Sequence, residues 1–192
     1  QRQLHVVMQY HDAGSAMDLI KHAYPDGFSE ADACCMLREA LQGLEYLHKQ
    51  GKLHRNLKAS NIVIHSAGAV RVADFSFSQT LVEGGERKQN RTTFAGTHQW
   101  MAPEVLEQAS GYNYKADIWS LGITAIELIS GRVPYGENTA PMKVFLQVVN
   151  GAPPTIEETI GAAGAKKRPV SEAYQDFVKQ CLSKSAAERP SA

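Results

Sequence analysis

Three cysteines in 192 residues are too few, and too irregularly placed, for a disulfide framework or a thiolate metal site. Cys34 and Cys35 are adjacent and Cys181 stands far away, so the expectation is packed, reduced thiols in an intracellular compartment. An excess of charge of one sign is also missing: Lys+Arg 20 against Asp+Glu 20 gives a net charge of +0. No global field then draws the chain to nucleic acid or to an anionic membrane, and neither is expected as a partner. The basic runs Arg87–Arg91 and Lys166–Arg168 are short and read as solvated loops. No apolar run approaches the roughly 20 residues that span a bilayer, and no signal peptide is visible, so the expected location is cytoplasmic. None of the seven histidines has metal spacing. An initiator methionine is lacking too, and the chain stops at Arg-Pro-Ser-Ala, so both ends are expected to be cuts within a longer protein.

What is present is ordinary for a globular chain, at 43% hydrophobic and 21% charged, with enough length for one domain or one large lobe. Leu4 to Met8 suits a strand, followed by a loop at residues 11–15. Ser15 is a candidate cap for a short helix through Ile20. Ser29, with Asp32 three residues on, opens a long helix with an apolar stripe at Ala33, Met36, Leu37, Ala40, Leu41, Leu44 and Leu47, closed by Gly51. Brief strands are expected at Leu53–His54, Ile62–Ile64 and Val70–Ala73, with a turn at Ala67-Gly68. Residues 76–100 carry no sustained period, and an irregular connection of that length is usually functional. From Lys115 to Ser130 the pattern is apolar almost all round, which predicts a helix buried at the centre of a helical lobe. Pro141 to Val149 and a segment from Ser171 through Leu182 read as further helices, and residues 155–170, with Gly161 and Gly164, as loop. The sum is a helical lobe with a small β element.

Between two of the short strands lies "KLHRNLKASNIVI", residues 52 to 64. His54-Arg55-Asn56, Lys58 and Asn61 are followed by Asp74-Phe75-Ser76, Gly96-Thr97, "MAPE" ending at Glu104, "DIWSLG" from Asp117, and Glu188-Arg189-Pro190. Each is weak alone; their order and spacing are specific. The set resembles the C-terminal lobe of eukaryotic protein kinases, with catalytic-loop, DFG and APE signatures. More narrowly it looks like the Sterile-twenty (germinal-centre) kinase family, in its oxidative-stress-responsive/Fray-like branch. The stretch "TFAGTHQWMAPEVLEQASGYNYKADIWSLGITAIEL" and the residues Ala140 to Val144 carry that likeness, and "YPDGFSE" and "GYNYKADIWS" are most like plant members.

The resemblance covers nearly the whole chain and implies an α+β, protein-kinase-like fold. Residues 1–12 would be the end of the N-lobe and the hinge. Residues 13–192 would be the helical C-lobe, truncated before its last helix, with the catalytic loop at 52–64 and the activation segment at 74–104. It implies ATP and magnesium as cofactors of an intact parent, and a protein substrate, partner kinase or scaffold as partner. Phosphoryl transfer asks the protein mainly to position groups and neutralise charge. By the resemblance, Asp74 and Asn61 hold the metal ions and Lys58 meets the transferring phosphate. Thr97 links the catalytic residues, and Met8, Gln9, Tyr10, His11 and Ser15 line the nucleotide side. Thr93 matches an activating phosphosite that Arg55 can pair with; the plainer alternative is a solvated loop threonine. Glu104 and Arg189 match a buried structural ion pair, Asp117 an anchor for the His54–Arg55 turn, and His54 a packed scaffold residue. Trp100 and Trp119 are expected in or near the core.

Two positions depart from the pattern. Asn56 stands where the family keeps the acid that takes or orients the substrate hydroxyl's proton. General-base help is worth about a hundred- to ten-thousandfold, so its loss adds on the order of 3–5 kcal/mol to the barrier, less for a loose transition state. Ser76 replaces the DFG glycine and removes easy access to positive φ. His98 replaces a proline common in the substrate loop, and the glycine-rich loop and strand lysine of a small lobe lie upstream, if anywhere. The expected reading is a catalytically impaired pseudokinase acting in signalling. Its alternatives are a slow ATP- and magnesium-dependent serine/threonine kinase, and a truncated product with Val6 and Val7 exposed on an unpartnered roof.

Overall fold

The structure is a computed structural model that describes residue 5 and residues 7–80, 82–83, 86–87, 98–107 and 112–192. Seven helices dominate it: α1 (Ala16–His22), α2 (Glu30–Lys49), α3 (Pro103–Glu107), α4 (Lys115–Ser130), α5 (Pro141–Asn150), α6 (Ile156–Lys167) and α7 (Glu172–Cys181). Six short strands join them: β1 (Lys52–Leu53), β2 (Ile62–Ile64), β3 (Val70–Val72), β4 (Gln79–Thr80), β5 (Val82–Glu83) and β6 (Glu86–Arg87). They pair antiparallel as β1–β4, β2–β3 and β5–β6.

The core is built around α4. Every residue from Ala116 to Ser130 is buried, including the polar Asp117, Ser120, Thr124 and Glu127. Helices α2, α6 and α7 pack around it. Where α4 meets α7, a Cβ on Gly122 would lie 2.8 Å from Cys181 Cβ and from Leu182 Cδ2, so only glycine lets the helices approach this closely. Helix α4 ends at Gly131, whose φ of 67° makes a left-handed cap. That cap packs on the turn before α2, where a Cβ on Gly27 (φ 89°) would sit 2.2 Å from the Ile129 carbonyl oxygen.

The caps explain most helix starts. Ser29 accepts from the Asp32 amide at α2, and Ser15 shares a reciprocal box with Asp18 at α1. The α2 stripe buries Ala33, Met36, Leu37, Ala40 and Leu44, while Leu41 packs against that core only partly buried. Trp119 is wholly buried and Trp100 half-buried.

Several expectations fail. Residues 156–167 are helical rather than loop: Thr155 and Glu158 form a capping box that starts α6, and Gly161, at φ 75° and ψ 157°, is a non-helical break that splits it into two pieces. Cys34 and Cys35 are exposed on α2 instead of packed; only Cys181 is buried. Arg168 is not merely a solvated loop cation, because its guanidinium donates to the carbonyls of Asp26, Gly27 and Phe28. His54 extends no strand, and β1 pairs across the fold with β4. Of the strand expected over Leu4–Met8, Leu4 and Val6 lie outside the described residues, and His5, Val7 and Met8 have no regular structure. No described helix is long and apolar enough to cross a membrane.

Candidate functional site

The quoted loop rests on one stripe of α4. Asp117 accepts from the backbone N–H groups of His54 (2.9 Å) and Arg55 (2.8 Å), and from His48 Nε2 at 2.9 Å. Seven residues on, Thr124 Oγ1 reaches the Leu57 carbonyl at 3.5 Å. Three further, Glu127 Oε2 accepts from Ala59 N–H (2.9 Å) and the Trp100 indole (3.1 Å). Positions i, i+7 and i+10 share a helix face, so one helix grips both ends of the loop. Arg55 is driven to φ 69°, a conformation that an arginine adopts at a cost of about 1–3 kcal/mol and that persists only where its surroundings enforce it.

His54 is fully buried. Its Nδ1 accepts from the Asn56 amide at 3.3 Å, so Nε2 carries the proton and donates to the Ala73 carbonyl at 3.1 Å. Burial lowers its pKa, against the pull of Asp117, which keeps the ring neutral. The ring thus ties the loop to the residue before Asp74.

Asn56 (5% exposed) and Asn61 (7% exposed) meet Asp74 beneath that tie. Asn56 Nδ2 donates to Asp74 Oδ2 at 2.8 Å; an ionised carboxylate only accepts, so the amide nitrogen must face it. Asn61 Nδ2 donates to the Asn56 carbonyl at 2.6 Å and reaches Asp74 Oδ2 at 3.5 Å. On the other oxygen, Oδ1, Ser76 donates twice, through its hydroxyl and through its N–H at 3.3 Å. Asp74 is exposed, and the Ser76 hydroxyl above all, with the Ser76 N–H and the Asn56 amide, holds its carboxyl below its ordinary pKa against some desolvation. Asp74 itself sits at φ 63°. An amide at position 56 therefore fits its neighbour: a carboxylate there would lie against another carboxylate.

Around this centre, Lys58 Nζ lies 5.7 Å from the Trp100 ring centre, and the Arg55 guanidinium 5.6 Å from that of Tyr112. Arg189, 1% exposed, grips Glu104 through two bonds of 2.7 and 2.8 Å, lies over Trp119 and donates to the carbonyls of Ser183, Lys115 and Lys184. Met8 and Tyr10 are exposed, and His11 Nδ1 contacts the Gln9 carbonyl at 3.1 Å. The segment joins the loop's exit strand through Ala13 N–H to the Ile64 carbonyl (3.1 Å) and Ile64 N–H to the Gly14 carbonyl (2.8 Å). Ser15 spends its hydroxyl on Asp18, at 2.6 Å, in the α1 cap. Thr93 and Thr97 lie outside the described residues.

Sequence reasoning missed Glu127. Burial pushes its pKa up to about 7, against the lowering effect of the Ala59 N–H, the Trp100 indole and Lys58, and its second oxygen is buried without a hydrogen-bond partner. The signal was available: it is the one acid between Ile118 and Ile129 in an otherwise apolar and small-residue run. His48, which completes the Asp117 cluster, carried no such signal, because the α2 pattern reads it as surface.

This combination of helical body, antiparallel hairpin and polar loop held by a buried helix acid defines a known class. The protein kinase domain model matches residues 1–192, and the chain belongs to that family. Its curated relatives include the serine/threonine-protein kinase fray2 of Dictyostelium discoideum, 42% identical over 97% of this chain and 17% of the relative. Germinal center kinase 3 of Caenorhabditis elegans is 40% identical over the whole chain and 34% of its own length. The serine/threonine-protein kinase ppk11 of Schizosaccharomyces pombe is 43% identical over 98% of the chain and 55% of its own length. The chain thus spans between 17% and 55% of these relatives.

Phosphoryl transfer in this family uses magnesium, a hard ion that takes oxygen ligands and gives up water reluctantly. The arrangement here does not fit that ion. A carboxylate offers about four lone-pair directions. Those of Asp74 face four donors: the amides of Asn56 and Asn61 on one oxygen, the hydroxyl and N–H of Ser76 on the other.

Proposed function

We propose that the chain is the larger part of a Sterile-twenty/Fray-like serine/threonine kinase domain whose phosphoryl transfer is impaired, and that it acts in signalling through contact with a partner kinase, scaffold or protein substrate. Residues 1–12 end the small lobe and form the hinge, and residues 13–192 form the helical lobe. The carrying observation is the 2.8 Å bond from Asn56 Nδ2 to Asp74. The side chain that would orient the acceptor hydroxyl has no charge and cannot take a proton, and its donor end is committed elsewhere. Lys58 and Asn61 keep the family's residue types, and Met8 to His11 with Ser15 keep its hinge side, so the reading includes weak or no nucleotide binding. Arg55 is the cation proposed to pair with Thr93 once that threonine is phosphorylated.

Retention of Lys58, Asn61 and Asp74 around one loop favours a second reading, a low-turnover ATP- and magnesium-dependent serine/threonine kinase. One comparison separates the two. In the parent protein with its upstream residues, Asn56→Asp is expected to raise phosphorylation of a generic serine/threonine substrate about a hundredfold or more from near zero. Equal, robust rates in both proteins would sink the impaired reading.

A further inference from the structure

Loss of the catalytic acid would by itself leave Asp74 free to bind a cation. The second departure, Ser76, changes that. Asn56 and Ser76 approach Asp74 from opposite sides, one on each carboxylate oxygen. We propose that these two residues are a built-in replacement for the metal: their donors saturate Asp74, so the loop keeps its shape without a divalent cation and Asp74 does not ligate one.

Three features support the pairing. The first is stoichiometry, with four donors for about four lone pairs, none of them more than 3.5 Å away. The second is charge. An acid at position 56 would place two carboxylates at hydrogen-bond distance, an arrangement that a cation relieves; the amide relieves it without one. The third is anchoring. Asn56 is buried and its backbone is tied on both sides, its N–H to His54 and its carbonyl to Asn61, which fixes the position from which its amide reaches Asp74. Ser76 lies on the chain two residues beyond Asp74 and closes the other side through a short local turn. Asp74 and Ser76 are exposed, so water competes for these bonds and each is worth less than a buried one, yet a cation must displace several of them at once. A retained glycine at position 76 would offer only its N–H. The serine hydroxyl is thus the donor that completes the set, which gives both departures from the family pattern a single physical role.

The test is Mn²⁺ binding to the full chain, read from the loss of the free-ion electron paramagnetic resonance signal. The unsubstituted chain is expected to take up no more Mn²⁺ than Asp74→Asn does. The double variant Asn56→Asp/Ser76→Gly is expected to bind at least about tenfold more tightly, and to show a Mn²⁺-dependent rise in melting temperature that the unsubstituted chain lacks. Uptake by the unsubstituted chain that Asp74→Asn abolishes overturns the proposal, as does a gain of less than about threefold in a folded double variant. If the double variant does not fold, the comparison of the unsubstituted chain with Asp74→Asn decides alone. The two readings fail separately: tight Mn²⁺ binding at Asp74 with no phosphoryl transfer defeats this proposal and leaves the impaired reading standing, whereas brisk magnesium-dependent transfer by the parent defeats both.

Discussion

Asp117→Ala removes one acceptor from three donors at once. Two are the backbone N–H groups of His54 and Arg55, at 2.9 and 2.8 Å, and the third is the His48 ring. His54 and Asp117 are both buried, so water does not replace the lost bonds. Hydrogen bonds to a charged group contribute about 1.5–3 kcal/mol each, which puts the two backbone bonds at about 3–6 kcal/mol. Arg55 would then relax from its φ of 69°, returning about 1 kcal/mol. The net loss is about 2–5 kcal/mol, or a fall in melting temperature of roughly 4–20 °C for a chain of this size. The internal comparison is Lys49→Ala, which deletes an exposed i, i+4 pair with Glu45 at 2.6 Å and is expected to cost under about 0.5 kcal/mol. Thermal unfolding followed by circular dichroism reads both variants. If Asp117→Ala melts within a degree or two of Lys49→Ala, the claim that α4 holds the loop by this carboxylate is wrong.

Other variants probe the same framework. Arg189→Ala strips Glu104 of its bidentate partner and three carbonyls of their donor, and is expected to cost about 3–5 kcal/mol in urea unfolding; Lys143→Ala on the surface should not move the midpoint. Glu127 has a folded pKa of about 7 against 4.5 ordinarily, so its contribution is complete below pH 4.5 and is lost as pH rises to 7. Across that window the wild type should lose about 1 kcal/mol per pH unit relative to Glu127→Gln, in which the slope from this group is absent; parallel pH curves for the two proteins would refute the shift. Gly27→Ala drives a Cβ to 2.2 Å from the Ile129 carbonyl at positive φ, and should destabilise by about 3 kcal/mol or more on denaturant titration; Gly68→Ala, at φ 88° with nothing within 4 Å of its Cβ, carries the backbone strain alone and should cost about 1 kcal/mol.

The parts of this fold that were legible in the sequence are those with a strong local period or a specific terminus. Helix α4 runs over the residues its apolar pattern marks, Lys115 to Ser130, because a fully buried helix leaves no polar face to blur the signal and Gly131 stops it. Helix α2 follows from its Ser29 cap and its stripe. Helix α6 was misread because two glycines outweighed the Thr155–Glu158 capping box, which was visible in the same stretch. Pairings such as β1 with β4 were not legible, since two-residue strands carry no period and their partners are set by tertiary geometry. At the site, motif spacing nominated Asn56, Asn61, Asp74 and Asp117. It could not show that Asn56 and Ser76 both turn their donors onto Asp74, because that depends on the left-handed backbone at Asp74 and on the anchoring of the loop from below. Glu127 was overlooked for a related reason: an acid inside a buried helix is informative only once its facing partners are known.

The central claim is that the amide of Asn56, committed to Asp74, leaves the acceptor alcohol without a base. The most direct measurement is a single-turnover rate of γ-phosphate transfer by the unaltered parent protein, with ATP and magnesium in excess over a generic serine/threonine peptide. The account predicts a rate at least about a hundredfold below that of its Asn56→Asp counterpart. Rapid transfer by the unaltered protein, equal to that of the variant, would contradict it.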